Sequence, residues 1–217
     1  LMDISSGRFI LSVASSLTSL IDEIERIKPA EILLQDTLTD VQTALVHPAL
    51  RKCPSWEFDL ETATKTLTEH FNTRDLSPFD CLEFPLAIAA AGALVSYARE
   101  TQKNSLPHIQ SLRVEQLSDS VILDAATRRN LEIDSNLNGG RDNTLFSVMN
   151  TTKTAMGGRL LARWLHRPLR GHEVLRTRQA ITTSLIENYH YETLSDALAS
   201  IGDLERILGR LGLRSAR

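Results

Sequence analysis

The stretch "FPLAIAAAGALVSYARETQ" (84–102) limits what this chain can fold into more than any other. Pro85 stands at a first-turn position, where its missing N–H is no loss. The residues that follow are apolar on almost every side of a helix. A helix without a polar face must be surrounded, so it belongs at the centre of a domain. It is too short and too Ala-rich for a bilayer, which needs about 20 apolar residues in a row. No other window is more apolar, so no membrane span is expected.

The segments before it supply candidate neighbours. "LMDISSGRFILSV" (1–13) reads as two short β segments around Ser-Ser-Gly, with Gly7 relaxing the turn. Residues 15–29 form an amphipathic helix: Leu17, Leu20, Ile21 and Ile24 share one face and Pro29 closes it. "EILLQD" (31–36) then reads as a buried strand. Strand, helix and strand in about 35 residues suggest a βαβ-type unit. "CPSWEFDL" (53–60) is expected to be an edge strand or extended segment. Residues 59–71 form a helix with Asp59 as its cap and Ala63, Leu67, His70 and Phe71 as its inner stripe. "KNSLP" (103–107) has linker chemistry, which places a boundary near 106 and expected domains at 1–106 and 107–217.

Beyond the boundary, residues 109–124 offer short extended pieces, and the rest reads helical. Asp124, Thr144 and Thr154 stand at cap positions. Met156, Leu160, Leu161, Trp164 and Leu165 make one apolar face, and Pro168 stops that helix. Helices over 171–188 and 202–211 follow, the latter with a Leu204, Ile207, Leu208, Leu211 stripe. Charge divides at the same place. Residues 1–106 hold 9 Lys+Arg against 15 Asp+Glu, net −6, and residues 107–217 hold 15 against 12, net +3. An excess of +3 is far from the footprint of a dedicated nucleic-acid binder.

The chemistry-bearing motifs are few. "LNGGRDNTLFSV" (137–148) lacks the Lys and hydroxyl that must follow the last glycine of a phosphate loop, so it reads as a turn and a cap. Gly157 and Gly158 fail the same test and read as helix positions open to a close neighbour. Asp3 lies on the first strand of an α/β unit, where a metal-dependent nuclease places a ligand. Glu31, Asp36, Glu57, Asp59 and Asp80 show no spacing that would complete such a site. A turn carboxylate is the alternative. Arg159, Arg163, His166 and Arg167 share one helix face, either tracking phosphates or forming a solvated or ion-paired surface. The six histidines form no zinc pattern, and Cys53 and Cys81 read as free thiols of a reducing compartment. On residues alone the chain is an α/β domain joined to a helical domain, without catalysis.

Several long motifs carry a resemblance in order along the whole chain. "DAATRRNLEI" (124–133), "NGGRDNTLFSVMNTTKTAMGGRLLARWLHRPL" (138–169) and "GDLERILGRL" (202–211) closely resemble the bacterial MutS family of DNA mismatch-repair recognition proteins. "DISSGRF" (3–9), "WEFD" (56–59) and "SLPHI" (105–109) match it too. The resemblance implies an RNase H-like connector domain, a mixed sheet with flanking helices, followed by a partial, mainly α-helical core or lever domain. Both ends look cut, so an excised piece is expected. The mismatch-reading domain, the clamp and the ATPase domain of the family have no counterpart here. No cofactor is expected in this piece; ATP and Mg²⁺ belong to the family's ATPase domain. No catalytic or metal residue is expected. The implied role is mechanical: coupling mismatch binding to the ATPase and docking the partner MutL in the bacterial cytoplasm. The implied MutL-facing surface includes Lys65, Thr66 and Glu100, and the candidate basic face is Arg159, Arg163 and Arg167. Mismatched duplex DNA and a homodimer are expected through the full-length protein. Lever helices without their partners should expose an apolar strip, with self-association or loss of order after about residue 110. A divergent RNase H-like nuclease is the alternative.

Overall fold

The apolar segment forms the helix its composition demands, Pro85–Gln102, with proline in the first turn and eight residues buried. The computed structural model describes residues 1–214. They divide into two compact units, Leu1–Gln116 with the chain from Glu205 onward, and Leu117–Leu204.

The first unit begins with β1 (Met2–Asp3) and β2 (Arg8–Leu11), paired antiparallel with Met2 opposite Phe9. The turn between them needs Gly7, whose φ is +73°. A Cβ there would stand 2.7 Å from the His108 carbonyl oxygen. Helix α1 (Leu17–Ile27) starts at Ser16, whose hydroxyl accepts from the Ser19 N–H at 3.1 Å. It ends at Lys28, just before Pro29.

The next strand, β3 (Ile32–Gln35), does not join β2. It pairs in parallel with β4 (Leu50–Cys53), in register from Ile32–Leu50 to Gln35–Cys53. Helix α2 (Thr39–Ala44) lies in the connection between them. The parallel crossover is therefore β3–α2–β4 rather than the strand–helix–strand of residues 8–35. Residues 36–49 are long enough for it, since such a crossover needs about a dozen residues. Strand β4 escapes a hydrophobicity reading because Arg51 and Lys52 are exposed on it. "SWEF" (55–58) is a 3-10 turn, not a strand: Pro54 opens it and the Asp59 N–H closes onto the Trp56 carbonyl.

Helix α3 (Leu60–Phe71) has the expected cap, with the Asp59 carboxylate accepting from the Thr62 N–H at 2.8 Å. Ala63 and Leu67 are its buried stripe. The Pro85–Gln102 helix is α4, and it packs directly on α3. Gly92 lies against Ala63, so close that a Cβ there would overlap the Ala63 side chain and Cα. One heptad further, Arg99 meets His70. Both contacts share an offset of 29 residues (92 − 63 and 99 − 70), so the two helices run side by side in the same direction. Around them lie Phe9, Leu11, Leu76, Leu106, Ile109 and Leu112.

The unit does not stop at residue 106. Leu106 is fully buried in its core, and Asn104 Oδ1 accepts from the Leu106 N–H at 3.1 Å. The chain then lays β5 (Arg113–Val114) parallel to β2, completing a mixed sheet in the order β1-β2-β5. "KNSLP" has turn chemistry because the chain bends there, with Leu106 at φ +57°.

The second unit is helical. Asp124 caps α5 (Ala125–Asn130), Thr144 caps α6 (Leu145–Met149) and Thr154 caps α7 (Ala155–His166). Asn136 organises the Gly-Gly turn: its Oδ1 accepts from the Asn138 and Gly140 N–H groups, and Gly139 takes φ +82°. Helices α8 (His172–Glu187) and α9 (His190–Ala199) follow. The Ser120–Leu169 bridge ties the start of the unit to the segment after α7.

Helix α10 (Leu204–Gly212) opens at the end of this unit, but from Glu205 it belongs to the first. Gly209 sits against the Ser5 carbonyl, and the Asn104 side-chain amide donates to the Gly212 carbonyl at 3.0 Å. The helix packs through its glycines, while Leu204, Leu208 and Leu211 stay exposed. An apolar stripe marks the inner face only when no flatter face exists. Positions 215–217 of the expected second domain lie outside the described residues.

Candidate interaction surfaces

Lys65, Thr66 and Glu100 are carried by the parallel pair α3 and α4. Lys65 and Glu100 are exposed and Thr66 is half-buried. The 29-residue offset sets Lys65 level with Leu94, so Glu100 lies six residues, about 9 Å, further along the pair. The three residues thus lie along one helical layer without converging on a point.

One turn before Glu100, Tyr97 gathers a polar cluster. Its hydroxyl donates to Glu31 Oε2 at 2.5 Å and accepts from Arg51 Nη1 at 2.9 Å. The Arg51 guanidinium stands 4.9 Å from the Tyr97 ring centroid. The Glu31 hydrogen bond holds the phenol proton and pushes the Tyr97 pKa up. These contacts fasten the β3–β4 sheet to α4. No sequence spacing announces them, because the three residues come from three separate elements.

His70 fills a second polar position between the helices. Its Nε2–H donates to the Ile109 carbonyl at 2.9 Å, and its Nδ1 accepts from Arg99 Nη2 at 3.0 Å. With both nitrogens used this way, the ring is neutral. Burial first, and the Arg99 charge second, hold its pKa below the ordinary value.

Asp3 is a turn carboxylate. Its Oδ1 accepts from the Ser5 N–H and hydroxyl at 2.9 and 2.7 Å, and its Oδ2 from the Ser6 hydroxyl at 2.6 Å. Burial would raise its pKa, but the serine hydrogen bonds outweigh that and lower it. Among the described residues, no three His, Cys, Asp or Glu side chains stand together as a metal site.

The basic face of α7 turns largely into its own unit. Arg159 grips Asp203 with two hydrogen bonds, at 2.8 and 2.6 Å, and both side chains are mostly covered. His166 meets Asp134 at 3.1 Å. Nε and Nη2 of Arg167 are buried. The apolar face is the more open one: Leu160 and Trp164 are exposed, with the Arg178 guanidinium 3.8 Å from the Trp164 ring centroid. Arg159, Arg163 and Arg167 share a helix face, as their spacing requires; all three are half-buried, and Arg159 is engaged with Asp203.

Two known family models match successive parts of the chain. A family model described as MutS domain II matches residues 1–110, and one described as MutS domain III matches residues 126–217.

Proposed function

Because the chain belongs to the MutS family of mismatch-repair proteins, shown by a match over 110 of its 217 residues, we propose that it is the family's mechanical middle. In this reading the connector and the first core helices transmit the state of mismatched DNA to the ATPase. They perform no chemistry and hold no cofactor of their own. The observation that carries the reading is the collinear presence of domains II and III. Asp3 supports it too, since its carboxylate is engaged in closing the turn before β2. Coupling of this kind requires two packings whose balance both ligands shift.

Within the same reading, the connector docks MutL through exposed α3 and α4 surface around Lys65, Thr66 and Glu100. The expected setting is the bacterial cytoplasm, with a homodimer formed by the full-length protein. The test is a solution titration of the whole chain with MutL, with and without nucleotide. The Lys65→Glu, Glu100→Lys double reversal should weaken saturable binding about tenfold, a loss of roughly 1.4 kcal/mol. Unchanged affinity would remove these residues from the interface. Mg²⁺-dependent cleavage of DNA or an RNA–DNA hybrid, abolished by Asp3→Asn, would replace the reading with a nuclease.

A further inference from the structure

Of the apolar side chains that the first unit leaves exposed, four lie close together in the fold. Trp56 is 72% exposed, Leu60 43%, Leu82 59% and Leu86 84%. These residues gather at one end of the unit. Trp56 lies in the 3-10 turn that packs against both α3 and α4. Leu60 and Leu86 occupy the first turns of those two helices, which run in the same direction. Leu82 lies in the turn that leads into α4, where the Phe84 N–H closes onto the Cys81 carbonyl. Scattered exposed leucines need no explanation, but a tryptophan with three leucines at one edge does. Tryptophan is also the residue most often found at the energetic centre of a protein interface.

The segments that form this end carry charge of one sign. Segments 53–64 and 80–98 contain Glu57, Asp59, Glu61, Asp80 and Glu83, and no Lys or Arg. The starts of α3 and α4 contribute about half a positive charge each. Five carboxylates outweigh that. The nearest basic residues along the chain are Lys52 and Lys65 for the first segment and Arg74 and Arg99 for the second.

We propose that this end of the first unit docks a protein segment presenting an apolar anchor flanked by lysines or arginines. The apolar residues supply burial, and the acidic rim supplies orientation and selects against acidic competitors. A nucleic acid is a poor occupant, because its phosphates would meet carboxylates. A second copy of the same surface is disfavoured as well, since a two-fold contact would bring the acidic rim against itself. The site lies at the helix starts, apart from the Lys65–Glu100 surface, and does not depend on MutL docking there.

The probe is a 16-residue amphipathic helical peptide of leucine and lysine, titrated into the whole chain by calorimetry and followed by NMR. Saturable binding is expected, with shifts centred on the Trp56 indole and the Leu60 and Leu86 methyls. Trp56→Ser and Leu86→Ser should each weaken it at least tenfold. Both side chains are exposed, so circular dichroism should show the fold intact. The Glu57→Gln, Glu61→Gln, Glu83→Gln triple variant should bind more weakly and with less salt dependence. The proposal is overturned by equal affinity in the Trp56 and Leu86 variants. It is equally overturned by equal binding of a leucine–glutamate peptide, or by binding lost in Leu198→Ser on α9 instead. Concentration-dependent dimerisation abolished by Trp56→Ser would name a second copy as the occupant and overturn it too.

Discussion

Helices α3 and α4 and helices α7 to α9 solve the same packing problem in different ways. In the first unit, α3 and α4 meet through Ala63 and Gly92, and both put their apolar residues into a shared core. In the second, α8 and α9 have no buried residue, and Ile181, Leu194 and Leu198 remain exposed. Polar ties on α7 include an Arg159–Asp203 pair, a His166–Asp134 contact and a guanidinium over Trp164. Amphipathic pattern alone does not separate the two cases, because it says which face is apolar and not whether a partner covers it.

The sharpest way to break this comparison is a pair of equal truncations. Leu67 is completely buried between the first unit's helices. Leu67→Ala should lower stability to denaturant by about 2–5 kcal/mol, from lost burial plus the cavity left behind. Leu198→Ala on α9 should change it by no more than about 0.5 kcal/mol. Equal losses at the two positions would mean that α9 is covered in solution. The reverse change, Gly92→Ala, adds one methyl where Ala63 already stands. It should cost about 1–3 kcal/mol by forcing the helices apart, and Ala63→Gly in the same chain should recover part of it.

In the second unit the largest single effect should come from charge. Arg159→Ala leaves Asp203 without its bidentate partner at a mostly covered position. A loss of about 1–3 kcal/mol is expected in urea unfolding followed by helix signal. A result near zero would show that the pair is open to water and that the basic face of α7 is solvated after all. Thr154→Ala should cost about 1 kcal/mol, because its hydroxyl holds the Gly157 N–H at the start of α7.

What could be read from residues alone follows from how local each feature is. Caps are local, so Asp59, Asp124, Thr144 and Thr154 were legible, as were α3, α4 and the β1–β2 turn. Sheet partnership is not local, and so the sequence pattern groups β2 with β3 although they lie in different sheets. Strand β4 was hidden by Arg51 and Lys52, which an edge strand can expose. The second unit's basic face was legible as a face, but its direction was not. Whether Arg159 meets water or Asp203 depends on a residue 44 positions away. The Tyr97, Glu31 and Arg51 cluster had no signal at all, since each member is ordinary in its own segment. The exposed end marked by Trp56 was likewise hidden, because "SWEF" reads as extended chain until Pro54 is seen to start a tight turn.

The smallest effect expected separates the units by their histidines. His70 is held neutral between Arg99 and the Ile109 carbonyl, with its pKa below the ordinary 6.5. As pH falls through 6.5, an unfolded chain takes up a proton at this residue before the folded chain does. Folding therefore loses free energy on acidification, and the contribution is complete only above the ordinary histidine value. The carboxylates whose pKa values are lowered, Asp3, Asp59, Asp75 and Asp124, start from 3.8 and lose their contribution only in stronger acid. Between about pH 6.5 and pH 4.5 the part of the slope that His70→Gln removes should thus report on His70, beside the Leu1 amine, whose pKa burial also lowers and whose loss begins near 8.0. In the second unit, His166 Nε2 stands 3.1 Å from the Asp134 carboxylate, where His70 faces a guanidinium. His70→Gln, which keeps a side-chain donor and acceptor but cannot titrate, should flatten the acid limb of the first unit's stability. An unchanged slope in that variant would mean that His70 takes up its proton as readily in the folded chain as in the unfolded one, so that the Ile109 and Arg99 contacts do not hold it neutral.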